Sequence, residues 1–334
     1  MTETIELKPV DKVEITTLYE NLIDPWPLAQ DMVRRLHATE NNRVTSQLLA
    51  EEHRVSFVGG HGLSMLVKVT RDGITRGILF DAGGSVDGLM HNLDCLEIDP
   101  RQWNCVVLSH GHWDHTNGLI GLHKRLGRLA MPLTLHPGAY LKRATKDQQG
   151  KMSRLNGTLS QQGLRDAGVE LIETQEPSFV IEGMALVTGE VERTNDFETG
   201  WPEHYAERNG KFEPDPLICD DQGLVVNVRG KGLVVLSGCG HSGIVNMVNY
   251  ARSITGIEKV HAVIGGYHLG PTFFRDRTSK VIDALVAMDP DIIYPAHCTG
   301  YTATDAIFHA LPGAFVQNAV GTRITSEAED TKAE

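Results

Sequence analysis

The sequence predicts an α/β protein in which mixed sheets are covered by helices, and three observations carry that reading. Short apolar runs bounded by Gly, Pro and Asp recur along the chain; amphipathic helical periodicity lies between such runs in the second half; Gly-containing polar turns join neighbouring runs as hairpins. The chain has 334 residues, 41% of them hydrophobic and 22% charged. That is too apolar for a disordered chain, and the length suffices to bury about three quarters of the unfolded surface.

Taken in order, the expected strands are Val13 to Tyr19, Leu63 to Val69, Gly77 to Phe80, Val106 to Ser109, Leu133 to His136, Leu224 to Val228, Leu233 to Ser237, Val260 to Ile264 and Ile292 to Tyr294. The stretches VTRDGITRGILF and VVNVRGKGLVVLS each set a Gly-bearing polar turn between two runs, the mark of an antiparallel hairpin. Helices are expected over Gly243 to Ile254 and Arg275 to Met288. In the second, Val281, Ile282, Leu285, Val286 and Met288 form a stripe at i, i+3, i+4 spacing.

From Tyr140 to Asp221 the texture becomes polar and Pro/Gly-punctuated, with one strand-like stretch from Phe179 to Thr188. It reads as an elaborated excursion that covers a groove, since its apolar content is too low for a core of its own. Asn21 to Arg54 reads as a shorter insertion, helical in part, and the acidic tail SEAEDTKAE as frayed. The expected organisation is one domain over 1–334, with insertions at about 21–54 and 141–216 and a frayed tail over 325–334.

Lys and Arg number 31 against 43 Asp and Glu, a formal charge of −12, which argues against binding a phosphate backbone. Five cysteines without a CxxC spacing indicate neither a disulfide framework nor a zinc ribbon. No apolar run approaches membrane-spanning length, and the N-terminus lacks a basic segment followed by an apolar one. A soluble, cytoplasmic protein without nucleic-acid or membrane partners is expected, with a homodimer allowed.

Three of the 15 histidines lie within six residues, in His110-Gly111-His112-Trp113-Asp114-His115. An apolar strand delivers this motif, so an extended chain points His110 and His112 to one side and a following turn offers Asp114 and His115. Such a set suits one or two borderline ions, most simply zinc, with manganese or iron as alternatives. Further ligands must come from later strand ends: His241 in GCGHSG and His297 in PAHCTG. His268, in GGYHLG, has the same context and is expected to face substrate, with an ordinary pKa near 6.5 suited to a general acid. His37, His53, His91, His123, His204, His261 and His309 lack such a context and read as surface or core residues.

The set HGHWDH, FDAGG, GCGHSGIVN, IGGYHLG and PAHCTG resembles the metallo-β-lactamase superfamily, and more closely its dihydropterin-ribofuranosylaminobenzene-phosphate-synthase-like branch. GGHGLSMLV, which contains His61, TGEVERTNDFE and DDQGLVVNVRGKGLVVLSGCGH add to the likeness, which covers most of the chain from about Gly59 to Gly300. The resemblance implies an αββα sandwich of two mixed sheets flanked by helices, with a metal groove at one sheet edge. Carried over by residue, it implies that His110, His112 and His241 hold one metal and Asp114, His115 and His297 the other, with Asp81 of FDAGG orienting a ligand imidazole. Many superfamily members place a bridging Asp where this chain has Cys239, so either Cys239 or His241 takes that place. The diiron oxidoreductase branch has Glu where this chain has His112, which disfavours redox chemistry.

The implied activity is that of a metal-dependent hydrolase, or of a lyase-like synthase related to it; in the hydrolase a dimetal site lowers the pKa of bound water to about 7 and so supplies hydroxide at neutral pH. Its substrate would be a small anionic, phosphorylated or pterin-like molecule, with Arg193, Thr194 and His61 as candidate substrate contacts and Asp114 and His268 as candidate catalytic groups. A metabolite-binding sensor that retains the metal site is the alternative from another class. A nuclease of the superfamily is disfavoured by the net charge.

Overall fold

Strands form at all the apolar runs because almost every position in them is buried, on both faces of the sheets. In the computed structural model, which describes residues 4–27, 30–39, 43–270 and 274–329, an eight-stranded sheet runs in the spatial order Glu170–Glu173, Pro132–Leu135, Cys105–Val107, Ile74–Phe80, Ser64–Arg71, Lys12–Tyr19, Thr322–Glu327, Val33–Arg35. A six-stranded sheet runs Ser178–Val180, Ala185–Val187, Leu224–Val228, Gly232–Ser237, Val260–Gly266, Ile292–Ala296. Both sheets are mixed. The expected hairpins pair antiparallel, Met65 opposite Phe80 and Val225 opposite Val235, while Gly232–Ser237, Val260–Gly266 and Ile292–Ala296 run parallel.

Alternation along each strand divides its side chains between two cores. Met65, Val67, Ile78 and Phe80 meet Val234, Leu236, Ile264 and Tyr294 between the sheets. The intervening Leu66, Leu79 and Val106 face outward under the helices Gly88–Cys95 and Gly118–Leu126. On the other side, Leu233, Val235 and Val263 pack under Ile244–Thr255, Arg275–Met288 and Tyr301–Ala310. The result is an αββα sandwich. Truncating a fully buried Leu in these layers costs about 2–5 kcal/mol, enough to hold the sheets in a single register. Helix Ile244–Thr255 stops at Gly256, whose φ of 68° places its amide on the Arg252 carbonyl, a left-handed end that favours Gly. Among the described residues no helix is long and apolar enough to cross a membrane.

Four expectations need correction. The described part of 21–54 contains no helix: Pro25 and Pro27 withhold amide donors, and Val33 instead docks on the inter-sheet core as Val33–Arg35 pairs with Thr322–Glu327. Residues 325–327 are not frayed, because Thr322–Glu327 pairs with Lys12–Tyr19 and buries Ile324; residues 330–334 lie outside the described ones. The stretch Phe179 to Thr188 is two strands, with Ile181 and Glu182 turning in the left-handed region so that Ser178 faces Val187. The excursion is not a single appendage. It contributes Glu170–Glu173 to one main sheet and two strands to the other, and only Arg143–Lys146, Met152–Leu155, His204–Arg208 and Lys211–Pro214 form a separate antiparallel sheet.

Candidate metal centre

The carboxyl ends of five strands converge on one place. Ile74–Phe80 delivers Asp81; Cys105–Val107 leads through Leu108 and Ser109 to His110; Gly232–Ser237, Val260–Gly266 and Ile292–Ala296 lead to Cys239 and His241, to His268 and to His297. Asp81, His268 and His297 have φ of 58°, 46° and 51°. These left-handed turns at strand ends carry local strain, of the kind that collects at functional sites.

His110, His112 and His241 form one group, with His110 Nε2 3.0 Å from His112 Nδ1 and His241 Nε2 3.2 Å from the same atom. Asp114, His115, His297 and Cys239 form a second. Here His115 Nε2 lies 3.2 Å from both Cys239 Sγ and His297 Nε2, and His297 Nε2 lies 3.1 Å from Asp114 Oδ2. Cys239 also groups with His241 and His268, so its sulfur stands between the two clusters while His241 belongs with His110 and His112.

Neighbouring hydrogen bonds fix which ring nitrogens are bare. Asp81 Oδ1 accepts from the Ser109 amide at 2.7 Å, and its Oδ2 accepts from Ser109 Oγ at 2.7 Å and His115 Nδ1 at 2.6 Å. Ser109 Oγ, having given its proton to Asp81, accepts from His110 Nδ1 at 2.9 Å. His110 therefore presents an unprotonated Nε2 to the cluster, and His115, held at Nδ1 by Asp81, aims its Nε2 at the same place. Imidazole nitrogens facing one another, beside a carboxylate and a thiol, match the N, O and S donor set of zinc.

Burial pushes His110, His112 and His241 well below the usual imidazole range and His297 down to about 4, so these rings are in the neutral form that ligates metal. His115 is drawn the other way: burial opposes its charge, but Asp81 and Asp114 outweigh burial and raise it. Burial likewise disfavours ionised Asp114, yet His115, His297 and His61 around it hold it well below the carboxylate range. Burial pushes the Cys239 thiol well up, so a nearby cation is needed to draw off its proton.

A cavity of about 380 Å³ opens over both groups, lined by His61, His112, Trp113, Asp114, Leu155, Trp201, Cys239, His241, His268 and His297 among others. His61 is half exposed at its rim, 3.3 Å from Asp114 Oδ2. His268 is buried, with its ring 4.2 Å from that of His241 and no hydrogen-bond partner on either nitrogen. Its expected ordinary pKa is corrected: burial pushes it down to about 3, so the ring is neutral at pH 7 and can donate a hydrogen bond but not act as an imidazolium acid. Arg193 and Thr194 do not line the cavity. Arg193 donates to the carbonyls of Leu217 and His241, and the Thr194 amide donates to Asn246 Oδ1, so both hold the loop behind His241.

Other parts of the excursion brace the same loops. Gln222 donates from its backbone to Ser109 and from its side chain to the Leu108 carbonyl. Asp221 Oδ2 accepts from the amide and hydroxyl of Ser242, and Glu198 accepts from the amides of Val245 and Asn246 at the start of helix Ile244–Thr255. Sequence reasoning missed Trp201, His204, Arg143 and Glu20. The last is fully buried and accepts from the His297 amide, and burial raises it to about 7. None of these four lies in a motif; TGEVERTNDFE and the DD pair before Gln222 signalled only the bracing Glu198 and Asp221. Asp81→Asn, which removes the charge that orients His115, is expected to weaken metal binding roughly 10–100-fold, read by competition with a chromophoric chelator.

A profile of the metallo-beta-lactamase superfamily matches residues 58–297. A 7,8-dihydropterin-6-methyl-4-(beta-D-ribofuranosyl)-aminobenzene-5'-phosphate synthase of Methanocaldococcus jannaschii is 34% identical over 251 residues, 74% of this chain and 83% of the relative. An uncharacterised protein of the same archaeon is 30% identical over 247 residues, 74% of this chain and 87% of that one. Among solved structures, one described as a metal-dependent hydrolase of the beta-lactamase superfamily aligns with a TM-score of 0.67 at 22% identity, covering 95% of this chain and 100% of that one.

Proposed function

Since the chain belongs to the metallo-beta-lactamase superfamily, we propose that it is a metal-dependent hydrolase acting on a small anionic, phosphorylated or pterin-like molecule. The observation that carries this reading is the pair of adjoining ligand groups on the floor of one cavity. One ion would be held by His110, His112 and His241, and a second by Asp114, His115 and His297, with Cys239 between them. Bound zinc would supply water acidic enough to attack at neutral pH and a Lewis acid for the electrophilic oxygen.

The chain's own side chains do the rest. Asp81 and Ser109 hold the His110 and His115 rings with their Nε2 atoms inward. Trp113, Leu155 and Trp201 wall the cavity and limit water, which strengthens electrostatic contacts inside it. His268 offers an unpartnered ring N–H to a developing negative charge, and His61 offers a second polar contact at the rim. No Lys or Arg among the described residues lines this cavity, so recognition of an anionic group falls to the metals and these imidazoles.

A synthase reading is favoured by the 34% identity to the named synthase. Zinc-loaded protein assayed on a phosphodiester, a lactone and a thioester, and on a dihydropterin that carries a leaving group on its 6-methyl carbon together with a ribofuranosylaminobenzene phosphate, separates the two. Metal-dependent water addition supports the hydrolase, joining of the last pair with release of the leaving group and a proton supports the synthase, and turnover of none removes both.

Cys239 has its own signature. Cobalt-substituted protein is expected to show a sulfur-to-metal charge-transfer band that Cys239→Ser abolishes. A cobalt spectrum without that band in the unsubstituted chain would confine Cys239 to packing.

A further inference from the structure

We infer that His204 is a positioning residue that sets the tautomer of His112, an inference that rests on the metal-dependent reading above. His204 is fully buried, with Nε2 3.2 Å from His112 Nε2 and Nδ1 2.9 Å from the Asp215 carbonyl oxygen. A carbonyl only accepts, so His204 Nδ1 carries the proton, and in that tautomer the lone pair sits on Nε2. The proton between the two rings then belongs to His112 Nε2. That leaves His112 Nδ1 bare, 3.0 Å from His110 Nε2 and 3.2 Å from His241 Nε2, with its lone pair directed into the first ligand group.

A closed ring of polar contacts holds His204 in place. The Gly111 amide, between the two ligand histidines, donates to Asp220 Oδ2 at 2.9 Å. Asp220 Oδ1 accepts from buried Arg143 at 2.6 Å, and Arg143 reaches Asp215 Oδ2 at 3.4 Å. Asp215 returns to His204, and His204 to His112, the neighbour of Gly111. A Cβ on Gly111 would lie 2.2 Å from the Ala139 carbonyl oxygen, so the HGH turn is gripped from its backbone side as well. Arg143, His204, Asp215 and Asp220 all come from the excursion, which is thus built into the centre and is more than a lid over it. Outer partners of this kind orient a ligand ring and raise its basicity.

The test uses the full chain, both free of metal and titrated with zinc. Long-range proton–nitrogen correlation spectra of the metal-free protein are expected to show His112 protonated on Nε2. In His204→Leu that preference is lost, and the affinity of one zinc ion falls roughly 10–100-fold, while the other, at Asp114, His115 and His297, binds as before. His204→Gln, whose amide oxygen can accept the same proton, should recover most of the loss. A His112 protonated on Nδ1 in the unsubstituted protein, or a leucine variant with unchanged tautomer and affinity, overturns the inference. If the leucine variant does not fold, the unsubstituted spectrum and the glutamine variant decide. A chain that binds no zinc would instead sink the metal-dependent reading, and the tautomer would still judge His204.

Discussion

The double variant His110→Ala, His112→Ala is expected to empty at least one metal site and, with it, to lose nearly all turnover of the proposed metal-dependent reaction. His110 and His112 supply two of the three nitrogens of the first ligand group, and one remaining imidazole does not hold an ion tightly. A metal contributes several kcal/mol of charge stabilisation in the transition state. At about 1.36 kcal/mol per tenfold, that is a rate loss of roughly 10³–10⁴. Elemental analysis of the purified variant reads the stoichiometry and circular dichroism its fold. An unchanged metal content in a folded double variant would remove these residues from the site.

His268→Ala should keep the full metal complement and the fold and still lose roughly 10²–10³ in kcat, the usual worth of one fixed hydrogen-bond donor to a developing charge. The ring is buried, borders the cavity and has no protein partner on either nitrogen. Leaving a buried polar group unsatisfied costs about 1–3 kcal/mol, so its retention fits a partner that arrives with substrate. Because burial holds the ring neutral down to about pH 3, the pH profile of kcat near neutrality should not carry the ionisation of His268. Loss of metal in this variant would make His268 a ligand alongside Cys239 and His241; full activity would return it to a packing role.

What could be read from the chain alone was whatever short-range periodicity encodes. A strand buried on both faces must be a continuous apolar run, so Leu224 to Val228, Leu233 to Ser237 and Val260 to Ile264 were visible, and with them mixed sheets covered by helices; the sandwich itself came from the family resemblance. HGHWDH was equally visible, because the two-residue repeat of an extended chain brings His110 and His112 to one side whatever the rest of the fold does. His241, His268 and His297 could be singled out because each follows the end of a strand.

Tertiary structure alone decided what depends on the path of loops between distant positions. It placed Cys239 Sγ between the two ligand groups and gave His241 to the first. It turned Arg193 from a substrate contact into a brace on the His241 loop. It brought His204 against His112 across 92 residues of sequence, through a polar segment in which a single histidine between Glu203 and Tyr205 carries no periodic signal. Apolar residues announce their face by repetition, since burial acts on every second or every third to fourth side chain of an element. A buried hydrogen bond joins two atoms once, and its second partner is chosen by long-range packing that no local spacing records.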